Sequence, residues 1–280
     1  MPVLLAFASA LVYGVGDYCG GRASRHQASI VVAAVGQMVS LALVITAVLV
    51  MGTPAPDAST WWWSIAGGVV GALGLVGLYH GFAHGDITVV APTSAVVGAV
   101  VPVAVGLGLG ERPSALALLG IAIAVTAVAL VSGAVGTHQH NTPLRIVVLA
   151  VAVGACFGLL FVALDRTDPD SGMWPLVIAR LASVPMLLVV GALAGVRAAP
   201  HRPSLKIAVV AGVFDMGANV LYLLAVRGGM LAIVSVVASL YPATTVAMAF
   251  GLDKERVTRW QSIGLGAAAL ALVMVSLSRQ

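Results

Sequence analysis

Apolar residues run along this chain in long unbroken blocks instead of alternating or marking one face of a helix. Ten such blocks stand out, at 3–19, 28–51, 60–83, 87–110, 114–135, 144–164, 173–196, 205–227, 230–252 and 257–277. Each approaches the roughly 20 residues a helix needs to cross the hydrocarbon core of a bilayer. A closed barrel would instead show alternating segments of about 10 residues. The pattern predicts an all-α membrane protein of ten transmembrane helices. Short polar breaks separate the blocks, and the longest, 52–59 and 197–204, both contain proline. None is long enough to hold a soluble domain.

Composition sharpens this reading. Only 9% of the residues are charged and 60% are apolar, whereas a soluble domain carries about 25% charge. So few charges cannot cover a soluble core, which excludes an ordinary cytosolic enzyme, a nucleic-acid-binding domain and a disordered chain. The net charge of +4 is spread over short loops, which points to no nucleic-acid partner. Cys19 and Cys156 both lie in apolar blocks, so no disulfide framework is expected. His138 and His140 fall in a polar stretch that reads as a solvated connector, not a metal site. Ala8-Ser9-Ala10 looks like a cleavage site but follows no basic segment, which argues against a signal peptide.

The chain repeats itself at an offset of 143 to 144 residues. Tyr13-Gly14 recurs as Phe157-Gly158, Gln37 and Ser40 as Arg180 and Ser183, Tyr79 as Tyr222, and His84-Gly85 as Arg227-Gly228. Glu111-Arg112 recurs as Glu255-Arg256, and Gly120 as Gly264. The halves are 1–138 and 139–280, with five helices each. Five is odd, so the second half is expected to enter the membrane in the opposite sense. Inverted repeats are a recurring plan of secondary transporters, with the substrate site between the halves near the midplane. A duplicated scaffold without transport is the alternative.

Ten helices in two five-helix units, with Pro242, Glu255-Arg256, Gln261 and Gly264 around the last two, resemble the EamA-type drug/metabolite transporter superfamily. Gly110-Glu111-Arg112 and Gly120 repeat that pattern, and Tyr13-Gly14 is similar to the family's aromatic-glycine pair in the first helix. The resemblance covers nearly the whole chain. This sequence departs from it at Gly98, where the family's proline would align (Pro102 lies one turn on), and at Gln37, where arginine is common. Asp253-Lys254 also replaces an apolar-glycine pair. The resemblance implies a fold of two repeats and export of amino acids, metabolites or toxic compounds across the cell membrane, with no ATP hydrolysis by the chain. The sequence has no phosphate-binding loop, which agrees.

Ionisable residues inside membrane spans are costly and usually functional. Asp17, Arg180 and Asp215 are the candidates, with His80 a weaker fourth. Tyr13 lies one turn before Asp17 on the same helical face. Asp17 reads equally as a cavity carboxylate that binds a proton or cation, or as a helix-end partner of Arg22 or Arg25. Asp215, Asn219 and Tyr222 share a face that cannot meet lipid. It faces a cavity, or a buried Arg180–Asp215 pair locks helices. Arg180 snorkels, pairs with a carboxylate or binds an anionic group; the resemblance favours a structural role. Asp17 aligns with Phe161 and Asp215 with Ala72, so the repeat itself needs neither carboxylate. Ser235 and Ser239 form a small polar stripe that suits helix packing more than binding. Tyr79-His80 could line or gate a cavity, although a lone His is more often a packing residue. Trp61, Trp62 and Trp63 read as an interfacial anchor.

Gly14-Val15-Gly16-Asp17 with Phe214-Asp215 also resembles the motifs of intramembrane aspartyl proteases, whose two carboxylates share a proton. The duplicated plan is not explained by proteolysis, and the order of the two aspartates is reversed, so no enzyme activity is expected. Glu111-Arg112 and Glu255-Arg256 are explained by a local ion pair and helix-end electrostatics and are assigned to structure. The expected partners are a small-molecule substrate, membrane lipid and protons as a candidate coupling ion, with no cofactor and no metal. Monomer and homodimer are both left open. Nine basic loop residues on one side against four on the other put both termini outside, whereas the resemblance implies termini inside.

Overall fold

The computed structural model describes residues 1–85, 87–131, 143–196, 201–253 and 259–277. The boundary between the halves at 138/139, the pair His138 and His140, and Glu255-Arg256 lie outside the described residues. The described chain forms α1 (Pro2–Ser24), α2 (Ser29–Met51), α3 (Ala58–His84), α4 (Ile87–Gly108), α5 (Ala115–Val131), α6 (Leu144–Asp165), α7 (Trp174–Leu193), α8 (Arg202–Gly228), α9 (Leu231–Ala238), α10 (Tyr241–Asp253) and α11 (Arg259–Leu277). A single 3-10 turn, Pro169–Ser171, precedes α7. The first three helices and α6 to α8 are each long and apolar enough to cross a membrane. Four further apolar stretches complete the bundle.

The ninth block is the one that does not form a single helix. It breaks at Ser239-Leu240, where Leu240 N–H donates to Val237 O at 3.2 Å and Ala243 N–H to Leu240 O at 3.0 Å, tightening the turn. Pro242 is the cause. It has no N–H to offer the carbonyl of Ala238, and its ring crowds that carbonyl. In the first half the aligned position is Gly98, and α4 runs through it unbroken.

Helix packing between the halves is reciprocal. Contacts of α1 with α8 are matched by α6 with α3, and those of α2 with α8 by α7 with α3. Those of α1 with α9 and α10 are matched by α6 with α4, while α2 meets α7 and α5 meets α11. Glycines make the closest approaches, and they too come in pairs. A Cβ at Gly14 would strike Tyr241 O and Thr244 Cβ; one at Gly158 would strike Gly98 O and Val101 Cβ. A Cβ at Gly68 would meet the Ala179 backbone, and one at Gly212 the Gly36 backbone. Absent side chains let helix backbones touch, which is how small residues drive association in lipid.

One end of the bundle is tied by polar contacts between segments. The indole N–H of Trp174 donates to Thr53 O at 3.0 Å. Asp168 N–H donates to Thr60 Oγ1 at 3.0 Å, and the Arg227 guanidinium to Ser171 Oγ at 3.1 Å. Asp57, outside the spans, caps α3 by accepting from Thr60 N–H at 3.0 Å. That bond and others from Thr60 and Ser59 hold its carboxyl below the usual range. Glu111 differs from its expected local pairing with Arg112. Its two oxygens accept from Leu231 N–H at 2.6 Å and Ala232 N–H at 3.0 Å. The carboxylate therefore satisfies the free N-terminal donors of α9, across the boundary between halves. At the other end His201 N–H donates to Gln27 Oε1 at 3.1 Å.

Candidate functional site

A cavity lies in the middle of the bundle where the halves meet, with about 570 Å³ of atom-free space, open solvent at its mouth included. The first half contributes Tyr13 and Asp17 from α1, Gln37 from α2, Gly71 and Leu75 from α3, and Ser94, Ala95 and Gly98 from α4. The second contributes Phe157, Leu160 and Phe161 from α6, Arg180 from α7, Asp215 and Asn219 from α8, and Ser239 and Tyr241 at the break. Nine of these sixteen residues carry polar or charged side chains, set among apolar and aromatic surface, a mixture that suits a small-molecule site.

The charged residues of this cavity are arranged unequally. Arg180 is buried and its guanidinium donates to Asp215 Oδ2 at 2.7 Å, forming an ion pair. Asp215 also accepts from Ser40 Oγ at 3.3 Å and from the Asn219 amide at 3.2 Å. Three helices thus hold the Asp215 carboxylate: α2, α7 and α8 itself. Asp17 is 7% exposed, and no described residue offers it a hydrogen bond or a cation. The Arg22 guanidinium instead donates to Tyr18 Oη at 3.0 Å.

Neutral groups cross-link the walls. Ser183 Oγ donates to Gln37 Oε1 at 2.6 Å, joining α7 to α2. Ser94 Oγ and Tyr241 Oη are 3.0 Å apart, joining α4 to the start of α10. Four buried polar atoms of cavity-lining residues have no partner: Tyr13 Oη, Arg180 Nε, Asn219 Oδ1 and Ser239 Oγ. Buried polar atoms are normally satisfied, so a cluster of four beside one cavity is where a ligand or ordered water belongs.

Against this geometry stand the comparisons with known proteins. The model of the EamA-like transporter family matches residues 1–133 and again 144–277. The chain belongs to the EamA-like transporter family. It is an integral membrane protein built from two copies of the EamA unit, in a family of transporters. No curated protein matches it. A solved structure, titled only as the crystal structure of a protein, is similar over 99% of this chain and 96% of its own, with a TM-score of 0.77 and 15% identity. That likeness shows the fold alone.

Of the ten residues singled out in the sequence, the EamA fold brings Tyr13, Asp17, Arg180, Asp215, Asn219 and Ser239 to one cavity. The other four do not line it. Tyr222 is fully buried beside it, stacked on Phe161 with centroids 4.1 Å apart, and its hydroxyl lies 2.8 Å from Ser235 Oγ. Tyr222 and Ser235 thus back the cavity wall. Tyr79 is buried with its ring against Gly20. His80 is exposed and stacked on His84 at 4.1 Å, away from the cavity. Tyr241 is one of ten lining residues that the sequence reading did not single out as site residues. Its position beside Pro242, at the repeat offset from Gly98, was the available signal. Trp61, Trp62 and Trp63 are exposed at the start of α3, as an interfacial anchor would be.

Proposed function

We propose that this EamA-family chain is a ten-span secondary transporter that exports a small organic solute across the cell membrane. Residues 1–138 and 139–280 form two inverted five-helix units, and alternating access occurs at the cavity between them. The observation that carries this reading is the cavity itself, built by both halves around buried charge. The reciprocal helix contacts support a two-fold relation between the units, and five helices per unit would reverse the sense of the second. A break in a span at the binding site, here Ser239-Leu240, recurs in such transporters. Protons are the proposed coupling ion, with Asp17 as the carboxylate that takes them, because Asp215 already has Arg180 as its counter-ion.

Proteolysis through Asp17 and Asp215 is the weaker reading. A dyad must share a proton between two carboxylates, whereas Asp215 is held by a guanidinium at 2.7 Å.

Reconstituted protein in proteoliposomes tests the proposal. A thermal-shift screen first finds a stabilising solute among amino acids, nucleosides and organic cations. Uptake of that solute is then expected to be faster with an imposed proton gradient than without one. Equal flux in both conditions would remove proton coupling, and absence of any flux would remove transport.

A further inference from the structure

Counting the charges around the central cavity narrows the solute class. Among the described lining residues three carry a carboxylate or guanidinium group: Asp17, Asp215 and Arg180. Arg180 and Asp215 neutralise one another. Asp17 remains as one uncompensated carboxylate in a chamber inside the bilayer. A carboxylate at that depth is neutralised by a proton or by a cationic partner that displaces it, and no described residue supplies such a cation.

The other groups at the cavity state what that partner looks like. Asn219 Oδ1 is a buried acceptor with no donor. Tyr13 Oη and Ser239 Oγ are also without partners and can each accept or donate. The rings of Phe157, Phe161 and Tyr241 line the same space. Aromatic faces attract cations and cover apolar bodies. Arg180 Nε is a lone free donor, suited to a neutral acceptor on the solute. An anionic solute would add a second negative charge beside Asp17, and the one cation among the described lining residues, Arg180, is already paired.

We propose that the cavity between the repeats selects a monovalent organic amine, whose ammonium group Asp17 holds while the aromatic walls cover its apolar body. This deepens the transport reading and rests on it for the solute's movement, though not for its binding. Asp17 is replaced by Phe161 in the second repeat and Asp215 by Ala72 in the first, so the selectivity belongs to one repeat's site chemistry and not to the shared scaffold.

The test uses four probes that share one phenyl ring: 2-phenylethylamine, 2-phenylethanol, zwitterionic phenylalanine and 3-phenylpropionate. Binding to the full-length protein in nanodiscs is measured by calorimetry, and exchange of the same probes is measured in proteoliposomes. The amine is expected to bind at least tenfold more tightly than the other three. Asp17→Asn is expected to weaken the amine about 10- to 100-fold, the loss of one hydrogen bond to a charged partner, while leaving the neutral alcohol unchanged. Asp17→Glu, which keeps the charge, retains the order of the four probes. The wild-type order alone decides the class, so a poorly folding variant does not remove the test. Equal or tighter binding of the alcohol, the zwitterion or the anion overturns the amine assignment, as does failure of the amine to bind. Exchange of a non-amine probe alone keeps transport and discards this class. Asp17-dependent amine binding without exchange keeps the class and discards transport.

Discussion

Two equivalent tyrosines, Tyr79 and Tyr222, sit beside the central cavity in very different company. Tyr222 stacks on Phe161 and its hydroxyl meets Ser235 Oγ at 2.8 Å. Tyr79 lies against Gly20, one turn beyond Asp17, and its hydroxyl has no hydrogen-bond partner among the described residues. Asp17 is itself the counterpart of Phe161. The same place in the repeat is thus a packed aromatic stack in one half and a carboxylate one turn from a buried ring in the other. Arg180 and Asp215 likewise have Gln37 and Ala72 as counterparts. Every ionisable residue of the cavity has an uncharged twin. The fold is carried by the shared apolar and glycine positions, and the chemistry by the positions where the twins differ.

The most disruptive way to probe that contrast is to strip the clamped charge of its partner. Arg180→Leu leaves the half-buried Asp215 without a cation, and since breaking one side of a fully buried pair costs about 3–5 kcal/mol, the loss is expected at or below the lower end of that range. The double variant Arg180→Gln with Asp215→Ala installs the first-repeat residues at both positions. It is expected to recover most of that loss, because replacing a whole buried pair is often close to neutral. Thermal unfolding in detergent reads both. A double variant as unstable as the single one would show that the pair does more than cancel charge.

This contrast also marks what the sequence could reveal. The helices were legible because apolar block length is set by bilayer thickness, and the repeat because landmark residues keep a fixed offset. The break at Ser239-Leu240 was not, because the block 230–252 is apolar throughout and Pro242 reads equally as a kink. Asp17 and Asp215 were found as costly charges, but only the fold could show that Asp215 is paired and that Asp17 has no partner among the described residues. The face drawn from Asp215 through Asn219 to Tyr222 was correct in direction and too long. Seven residues climb about 10.5 Å along a helix, which carries Tyr222 past the cavity and behind its wall. For Glu111 the helix-end electrostatics was legible but not the partner: its acceptor oxygens meet N–H groups 120 and 121 residues away in sequence, and local spacing cannot point there.

A smaller effect separates the two tyrosines. Tyr222→Phe removes the hydroxyl and leaves Ser235 Oγ buried at 0% exposure without it, at a cost of about 1–3 kcal/mol. Tyr79→Phe removes a hydroxyl that has no described partner, so unfolding is expected within about 0.5 kcal/mol of wild type. Paired melting curves check this, and equal losses would mean that the two ends are held alike.

The smallest expected change in stability falls on the residue expected to matter most for solute. Asp17→Asn keeps the shape of the side chain and breaks no ion pair, since none of the described residues supplies one. It also lifts the cost of holding an uncompensated charge away from water. The melting temperature is therefore expected to stay level or rise slightly, by less than about 1 kcal/mol of stability. Asp215→Asn provides the contrast, because it unpairs Arg180 and should lower the melting temperature clearly. A large loss in Asp17→Asn would mean that the carboxylate holds the fold together after all. The charge count of the cavity would then close without any solute.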